Sequence, residues 1–205
     1  MKLADAVSLR SRRRKLRLFL EELGPTAETT VLDVGVDEVG FGTEGGQRRC
    51  STHNFFEELY PWPDRITAVG VHGGERFSER YPHVRYVQAD ACALPFADRQ
   101  FGVYFSNAVI EHVGGRERQR RFVEEAVRVA GRAFVTTPNR WFPIELHTRL
   151  PFVHWLPERA AARAYRLARR PWAIDNHLLG PRELRDLFPV PVRVVNLGMT
   201  LVAIT

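Results

Sequence analysis

Cysteine, lysine and long apolar runs are what this sequence has least of. Its two cysteines, Cys50 and Cys92, show no CxxC spacing and no adjoining Cys/His pattern. A disulfide scaffold and a zinc-finger framework are therefore excluded, and a reducing compartment fits. No metal ligands are read from the sequence. No stretch approaches the ~18 apolar residues that a membrane-spanning helix needs. Met1 leads into charge without the apolar core of a signal peptide, so a cytoplasmic protein is expected. Lysine occurs only as Lys2 and Lys15, although Lys and Arg number 30 against 24 Asp and Glu, a net charge of +6. The positive charge is thus almost wholly arginine, suited to planar, bidentate contacts. What is present suffices for one folded domain over residues 1–205: 44% hydrophobic and 11% aromatic residues.

Periodicity divides the chain. Leu16, Phe19, Leu20 and Leu23 lie at helical spacing, so residues 3–23 read as a helix that Gly24-Pro25 stops. Arg10, Arg12, Arg13, Arg14, Lys15 and Arg17 make it basic, either as a solvated face or as a surface drawn to anionic lipid or phosphate. Five short apolar runs follow, at 29–35, 66–71, 84–89, 101–107 and 132–137, and helical stretches separate several of them. Nearly continuous apolar strands alternating with helices predict an α/β fold with a doubly wound, mostly parallel sheet. The last runs, 192–195 and 201–204, predict an antiparallel edge pair, completing seven strands within a final segment 191–205. The cofactor-binding core is expected at 29–137. Between the core and the last strands, residues 138–190 break the pattern with Trp141, Phe142, Phe152, Trp155 and several prolines, and read as an irregular lid over the substrate. Those aromatics could equally close a second small core.

Ligands of open parallel sheets bind beyond the carboxyl ends of the strands. Those ends carry Asp33 and Gly35, then His72, then Asp90, then Asn107 with Glu111 and His112, and finally Thr137, Pro138 and Asn139. Val31-Leu32-Asp33-Val34-Gly35 resembles the opening of motif I in class I S-adenosylmethionine-dependent methyltransferases. Val87 to Phe96 is similar to the family's segment after strand three, and Ser106 to Val113 to the end of strand four in the small-molecule subgroup (methyltransferase type 11-like) related to the quinone C-methyltransferases. The resemblance covers residues 29–139 and implies a Rossmann-like fold, S-adenosylmethionine as cofactor and methyl transfer. It implies cofactor contacts from Asp33, Gly35, His72, Asp90, Ala91 and Asn107, with Asp90 meeting the adenine amino group.

Two positions depart from the family pattern. Val36 and Asp37 stand where further glycines are usual, and the literal GxGxxG from Gly40 to Gly45 comes too late to form the tight turn. It reads as an inserted loop that folds over the cofactor. His72 stands where an acidic residue holds both ribose hydroxyls, and an imidazole cannot accept two hydrogen bonds as a carboxylate does; Glu75 is near enough in sequence to substitute. His112 is the candidate general base, titrating near neutrality, with Glu111 to orient it. Asn139, Trp141 and His147 are the candidate substrate contacts. Arg163, Arg166, Arg169 and Arg170 form a second basic strip that, with the first, suits an amphipathic, lipid-like or anionic acceptor and a peripheral contact with anionic membrane. The expected function is methyl transfer to a small or lipid-like molecule. Its alternatives are a non-catalytic methyltransferase-like binding or scaffold module, and a nucleic-acid methyltransferase or binder. Strand four lacks the Asn/Asp-Pro-Pro-aromatic signature of base-amine methylation, which disfavours nucleic acid. The oligomeric state is not legible.

Overall fold

A computed structural model describes residues 3–36 and 54–205. The Gly-rich stretch with its Gly40–Gly45 motif lies outside the described residues, as does Asp37. Seven strands form one sheet: β1 (Val31–Val34), β2 (Ile66–Gly70), β3 (Arg85–Gln88), β4 (Val103–Asn107), β5 (Ala133–Pro138), β6 (Arg193–Asn196) and β7 (Thr200–Ile204). Their order is β3-β2-β1-β4-β5-β7-β6. Strands β1 to β5 pair in parallel, and β7 runs antiparallel to both β5 and β6. The expected seven-stranded sheet with its antiparallel edge is therefore present.

Alternate side chains of the same strands go to opposite faces, as the pleat requires. Leu32, Val34 and Tyr104 enter a core closed by helix α4 (Arg116–Val129) through Phe122, Val123 and Ala126 and by the short helix α6 (Pro181–Arg185) through Leu184. Val31, Val103 and Phe105 enter the other core, under helix α1 (Leu3–Leu23), the five-residue helix α2 (Phe55–Leu59) and helix α3 (Glu75–Arg80). The stripe Leu16, Phe19, Leu23 is the buried side of α1. Phe19 is fully buried, with its ring edge-on to Phe56, Phe105 and Phe134 at centroid distances of 5.2, 5.5 and 5.4 Å. Burying one such ring is worth ~1.5–3 kcal/mol, so this contact fixes α1 across the sheet.

The irregular region between β5 and β6 holds one further helix, α5 (Glu158–Leu167), between two 3-10 turns, and a satellite core of Val153, Tyr165 and Ala173. Trp141, Phe152 and Trp155 are not its contents; all three remain exposed. Among the described residues no helix is long and apolar enough to cross a membrane.

Candidate functional site

Strand order reverses between β1 and β4, and the chain leaves both strands through unusual backbone. Gly35 has φ +104°, and its N–H donates to the Val69 carbonyl at 2.8 Å. A Cβ there would sit 2.0 Å from Val109 Cγ2, so the glycine is required by packing against Val109 as well as by its dihedral. Ala108, just past β4, has φ +59°, a left-handed conformation that costs a non-glycine residue free energy and that clusters at functional sites. It turns the chain back so that Val109 faces Gly35 and Glu111 packs below β5.

A small cleft opens here, lined by Asp33, Gly35, Asn54, Phe55, Phe56 and Asn107 among others. Three of the cofactor-binding candidates, Asp33, Gly35 and Asn107, are thus brought together. Asp33 is buried and faces Glu57 of α2, also buried. Burial first, then the neighbouring carboxyl, raises the Asp33 pKa well above the usual range, and burial raises that of Glu57 to about 7. Neither Glu57 oxygen has a hydrogen-bond partner among the described residues. Two carboxyls that face each other in a buried site do not readily both ionise, so a proton is retained between them.

Sequence reasoning missed Glu57, and it missed Lys15. The Lys15 ammonium, buried on α1, donates to Asn107 Oδ1, which also accepts from Thr136 Oγ1 at 3.0 Å. Burial, assisted by Arg12 and opposed by Glu111, lowers the Lys15 pKa from 10.5 to about 7. A residue counted as part of a solvated basic face is therefore the prop of the β4 end.

Next to this cleft lies a cluster of imidazoles and carboxylates. Glu111 is fully buried; its Oε2 accepts from Thr137 Oγ1 at 3.0 Å, and its Oε1 accepts no hydrogen bond. His147 Nε2 lies 3.6 Å and His112 Nε2 3.9 Å from that Oε1, too long for hydrogen bonds. His147 Nδ1 is 2.8 Å from Glu145 Oε1, and Glu145 also accepts the backbone N–H groups of His147 and Thr148 at 3.0 and 2.6 Å. Burial alone pushes the His147 imidazole down, but the carboxylates of Glu111 and Glu145 outweigh it and hold its pKa up at about 9. Burial likewise works against the Glu145 carboxylate, and its donors outweigh it, holding the pKa at about 2. His112 is partly exposed, its ring edge-on to His147 at 4.8 Å.

The remaining candidates stand apart. Asp90 is half exposed; Arg118 Nη2 donates to both its oxygens at 2.9 Å and the Cys92 N–H to Oδ1 at 2.9 Å. Ala91 is buried with Leu94. His72 is exposed in the turn after β2, where its carbonyl accepts from the Tyr86 hydroxyl. Asn139 is buried and serves the local backbone, donating to the Gly198 carbonyl at 2.9 Å and accepting the Trp141 N–H at 3.0 Å. Trp141 is exposed against the Arg140 guanidinium, 5.6 Å from its ring centroid. Beyond it, a groove of about 260 Å³ runs between the irregular segment and α5, lined by Arg140, His154, Tyr165, Asn176 and His177 among others. It adjoins the imidazole cluster, because the His177 N–H donates to the Glu111 carbonyl at 2.9 Å.

Residues 48–132 match the family described as the methyltransferase domain. Over 64 residues, 30% of this chain, the sequence is 42% identical to two proteins named probable S-adenosylmethionine-dependent methyltransferases, from strains CDC 1551 / Oshkosh and H37Rv of Mycobacterium tuberculosis. The match spans 22% of the length of those relatives. Among solved structures, the N-methyltransferase NodS of Bradyrhizobium japonicum WM9 superposes with a TM-score of 0.60 at 16% identity, covering 98% of this chain and 97% of its own. The 1,6-didemethyltoxoflavin-N1-methyltransferase of Burkholderia thailandensis, solved with S-adenosylhomocysteine, superposes with a TM-score of 0.55 at 16% identity, covering 94% and 76%. Strand order, the matched stretch and these likenesses together place the chain in the class I S-adenosylmethionine-dependent methyltransferase fold.

Proposed function

We propose that the protein transfers a methyl group from S-adenosylmethionine to a small or lipid-like acceptor. One observation carries this reading: the buried Asp33–Glu57 pair, with no donor on the Glu57 oxygens among the described residues, at the end of β1 where the strand order reverses. An ammonium group answers that need with charge and three N–H donors, and the cofactor carries one on its amino acid end. The residues present therefore fit the cofactor at that end. At the adenine end Asp90, although engaged by Arg118, is half exposed and keeps lone pairs for an exocyclic amine above Ala91. The ribose falls to His72, which offers one hydrogen bond.

When bound, the cofactor supplies a methyl group on a positively charged sulfur, open to in-line displacement. The chain's own residues bind, align and move a proton. Lys15 and Thr136 hold Asn107 at the β4 end. Alignment of this kind is worth up to ~7–11 kcal/mol in favourable systems. His147, protonated between two carboxylates at neutral pH, is no base; His112, more exposed and adjoining it, takes the acceptor's proton, with the Glu111 carboxylate 3.9 Å away. The acceptor occupies the groove between Arg140 and His177, where Leu156, Ala161, Tyr165 and Ile174 suit an apolar body and the Arg140 guanidinium suits an anionic head.

The test is calorimetric titration with S-adenosylmethionine and its demethylated product. Saturable binding is expected, with His112→Ala leaving affinity unchanged and slowing turnover by ~10²-fold or more in a screen of lipid-like and small acceptors. Absence of binding at millimolar ligand replaces the enzyme with a methyltransferase-like binding module, and strong salt-dependent binding of RNA or DNA replaces the acceptor class.

A further inference from the structure

We propose that Glu111, His112 and His147 form a binding site for one divalent transition-metal ion of the zinc type. One ligand atom from each of the three lies within 4.8 Å of the others. The centre of such a triangle is at most about 2.8 Å from each corner, so closing to the ~2.0–2.2 Å of zinc–nitrogen and zinc–oxygen bonds takes side-chain shifts of under an ångström.

The second observation is the state of the Glu111 carboxylate. Its Oε1 is fully buried, accepts no hydrogen bond, and points between the two imidazole Nε2 atoms at 3.6 and 3.9 Å. In the metal-free protein the His147 imidazolium, 3.6 Å away, offsets its charge beyond hydrogen-bond distance, and an ion at bonding distance satisfies the oxygen directly. Its partner Oε2 is held by the Thr137 hydroxyl, which orients the carboxylate.

The surroundings are those of a metal ligand set. His147 donates its other ring nitrogen, Nδ1, to Glu145 Oε1 at 2.8 Å, which orients the ring, and an ion at Nε2 displaces the proton that nitrogen carries in the metal-free protein. Glu145 is in turn fixed by two backbone N–H groups. Two imidazoles and one carboxylate are the borderline donors that zinc, cobalt and iron(II) prefer over magnesium or calcium. Three protein ligands with a partly exposed His112 leave a further coordination position open, the form of a reactive site and not of a closed structural one. An oxygen of a bound acceptor or a water fits that position chemically. The ion-binding claim goes beyond the methyl-transfer reading and is an alternative use of the His112 lone pair, because an imidazole that holds the ion does not also act as the base.

The experiment uses untagged full chain, stripped with a chelator and dialysed, titrated with Zn²⁺ against a chromophoric competitor and with Co²⁺ followed by visible absorption. One equivalent is expected to bind at about micromolar Kd or tighter, with the absorption of a four- or five-coordinate cobalt centre. His112→Ala and Glu111→Gln should each weaken binding at least ~tenfold, and Glu145→Gln, acting through His147, by a comparable factor. His154→Ala should leave it unchanged, because that imidazole faces the Phe142 carbonyl at 3.0 Å. Replacing buried Glu111 can unfold the protein, so the partly exposed His112 is the deciding position, with circular dichroism to confirm folding. No saturable binding up to millimolar Zn²⁺ overturns the proposal. So does an equivalent that survives both His112→Ala and His147→Ala, or one that is lost in Cys92→Ser.

Discussion

Two buried acidic sites flank the point where the sheet reverses, and they have opposite electrostatics. At the β1 end, Asp33 and Glu57 face each other, the Glu57 oxygens without a donor among the described residues, and burial pushes both carboxyls up. At the β4–β5 end, Glu145 is as deeply buried but is surrounded by an imidazolium and two N–H groups, and its pKa is held at about 2. Burial alone therefore says little about a carboxylate; what faces it decides its charge. The second site is internally satisfied apart from one oxygen of Glu111. The first is short of donors for Glu57 among the described residues, which is the condition of a ligand site.

The sharpest way to break this contrast is to remove the satisfied acid. Glu145→Ala leaves a buried imidazolium and two N–H groups without their acceptor, and should cost ~3–5 kcal/mol by guanidinium unfolding. A loss below ~1 kcal/mol would mean that the His147–Glu145 unit is not the internal pair described. Asp33→Asn should act in the other direction on the free protein. It relieves a forced protonation, so stability should hold or rise, while cofactor affinity falls ~10–100-fold, as for a lost charged hydrogen bond of ~1.5–3 kcal/mol. Parallel loss of stability and affinity would show that Asp33 is structural.

How much of this the sequence disclosed depends on the range of the interaction. The strands were legible because each is a short apolar run, and the final pair because two such runs lie close together at the end. Asp33, Asn107 and Glu111 were legible because strand ends point outward in any parallel sheet. Glu57 was not, because α2 is five residues long and too short to show a period. Lys15 carried a signal that went unused: it precedes Phe19 and Leu23 by four and eight positions, on the buried stripe of α1. The charge run around it concealed that register. The pairing of His147 with Glu111, thirty-six positions apart, and of Arg118 with Asp90, twenty-eight apart, comes from tertiary placement alone.

The β1 side also predicts a pH signature different from that of the other acidic site, where a raised imidazole and a lowered carboxylate titrate. Glu57 binds its proton more tightly when folded, so stability falls as pH rises from its ordinary value of 4.5 to about 7. Lys15 binds its proton less tightly when folded, so the unfolded chain holds more protons between about 7 and 10.5 and stability rises across that range. Asp33 adds to the falling limb, and His147, held up at about 9, lowers stability from 6.5 to about 9 against the Lys15 rise, so each contribution is read as the difference between a variant and the wild type. Urea unfolding across pH 5–10 checks it: Glu57→Gln should flatten the acid limb and Lys15→Met the alkaline one. Curves of both variants that run parallel to the wild type would remove both assignments.

The smallest expected effect concerns the exposed pair. Arg118 and Asp90 are closely bonded, at 2.9 Å, yet their side chains are 47% and 48% exposed. Water and salt screen such a pair, so its geometry overstates its worth, and Arg118→Ala should leave the unfolding midpoint unchanged within error. The consequence for the ligand is the informative part. If Asp90 meets the cofactor's amine with lone pairs that Arg118 does not occupy, removing the guanidinium frees further acceptor capacity, and cofactor affinity should change by less than about threefold. Asp90→Ala in the same titration should weaken binding markedly. If the two variants instead lose affinity equally, the guanidinium itself touches the ligand or holds Asp90 in the only competent rotamer. The adenine end of the site would then be built, like the Glu145 end, from groups that satisfy one another.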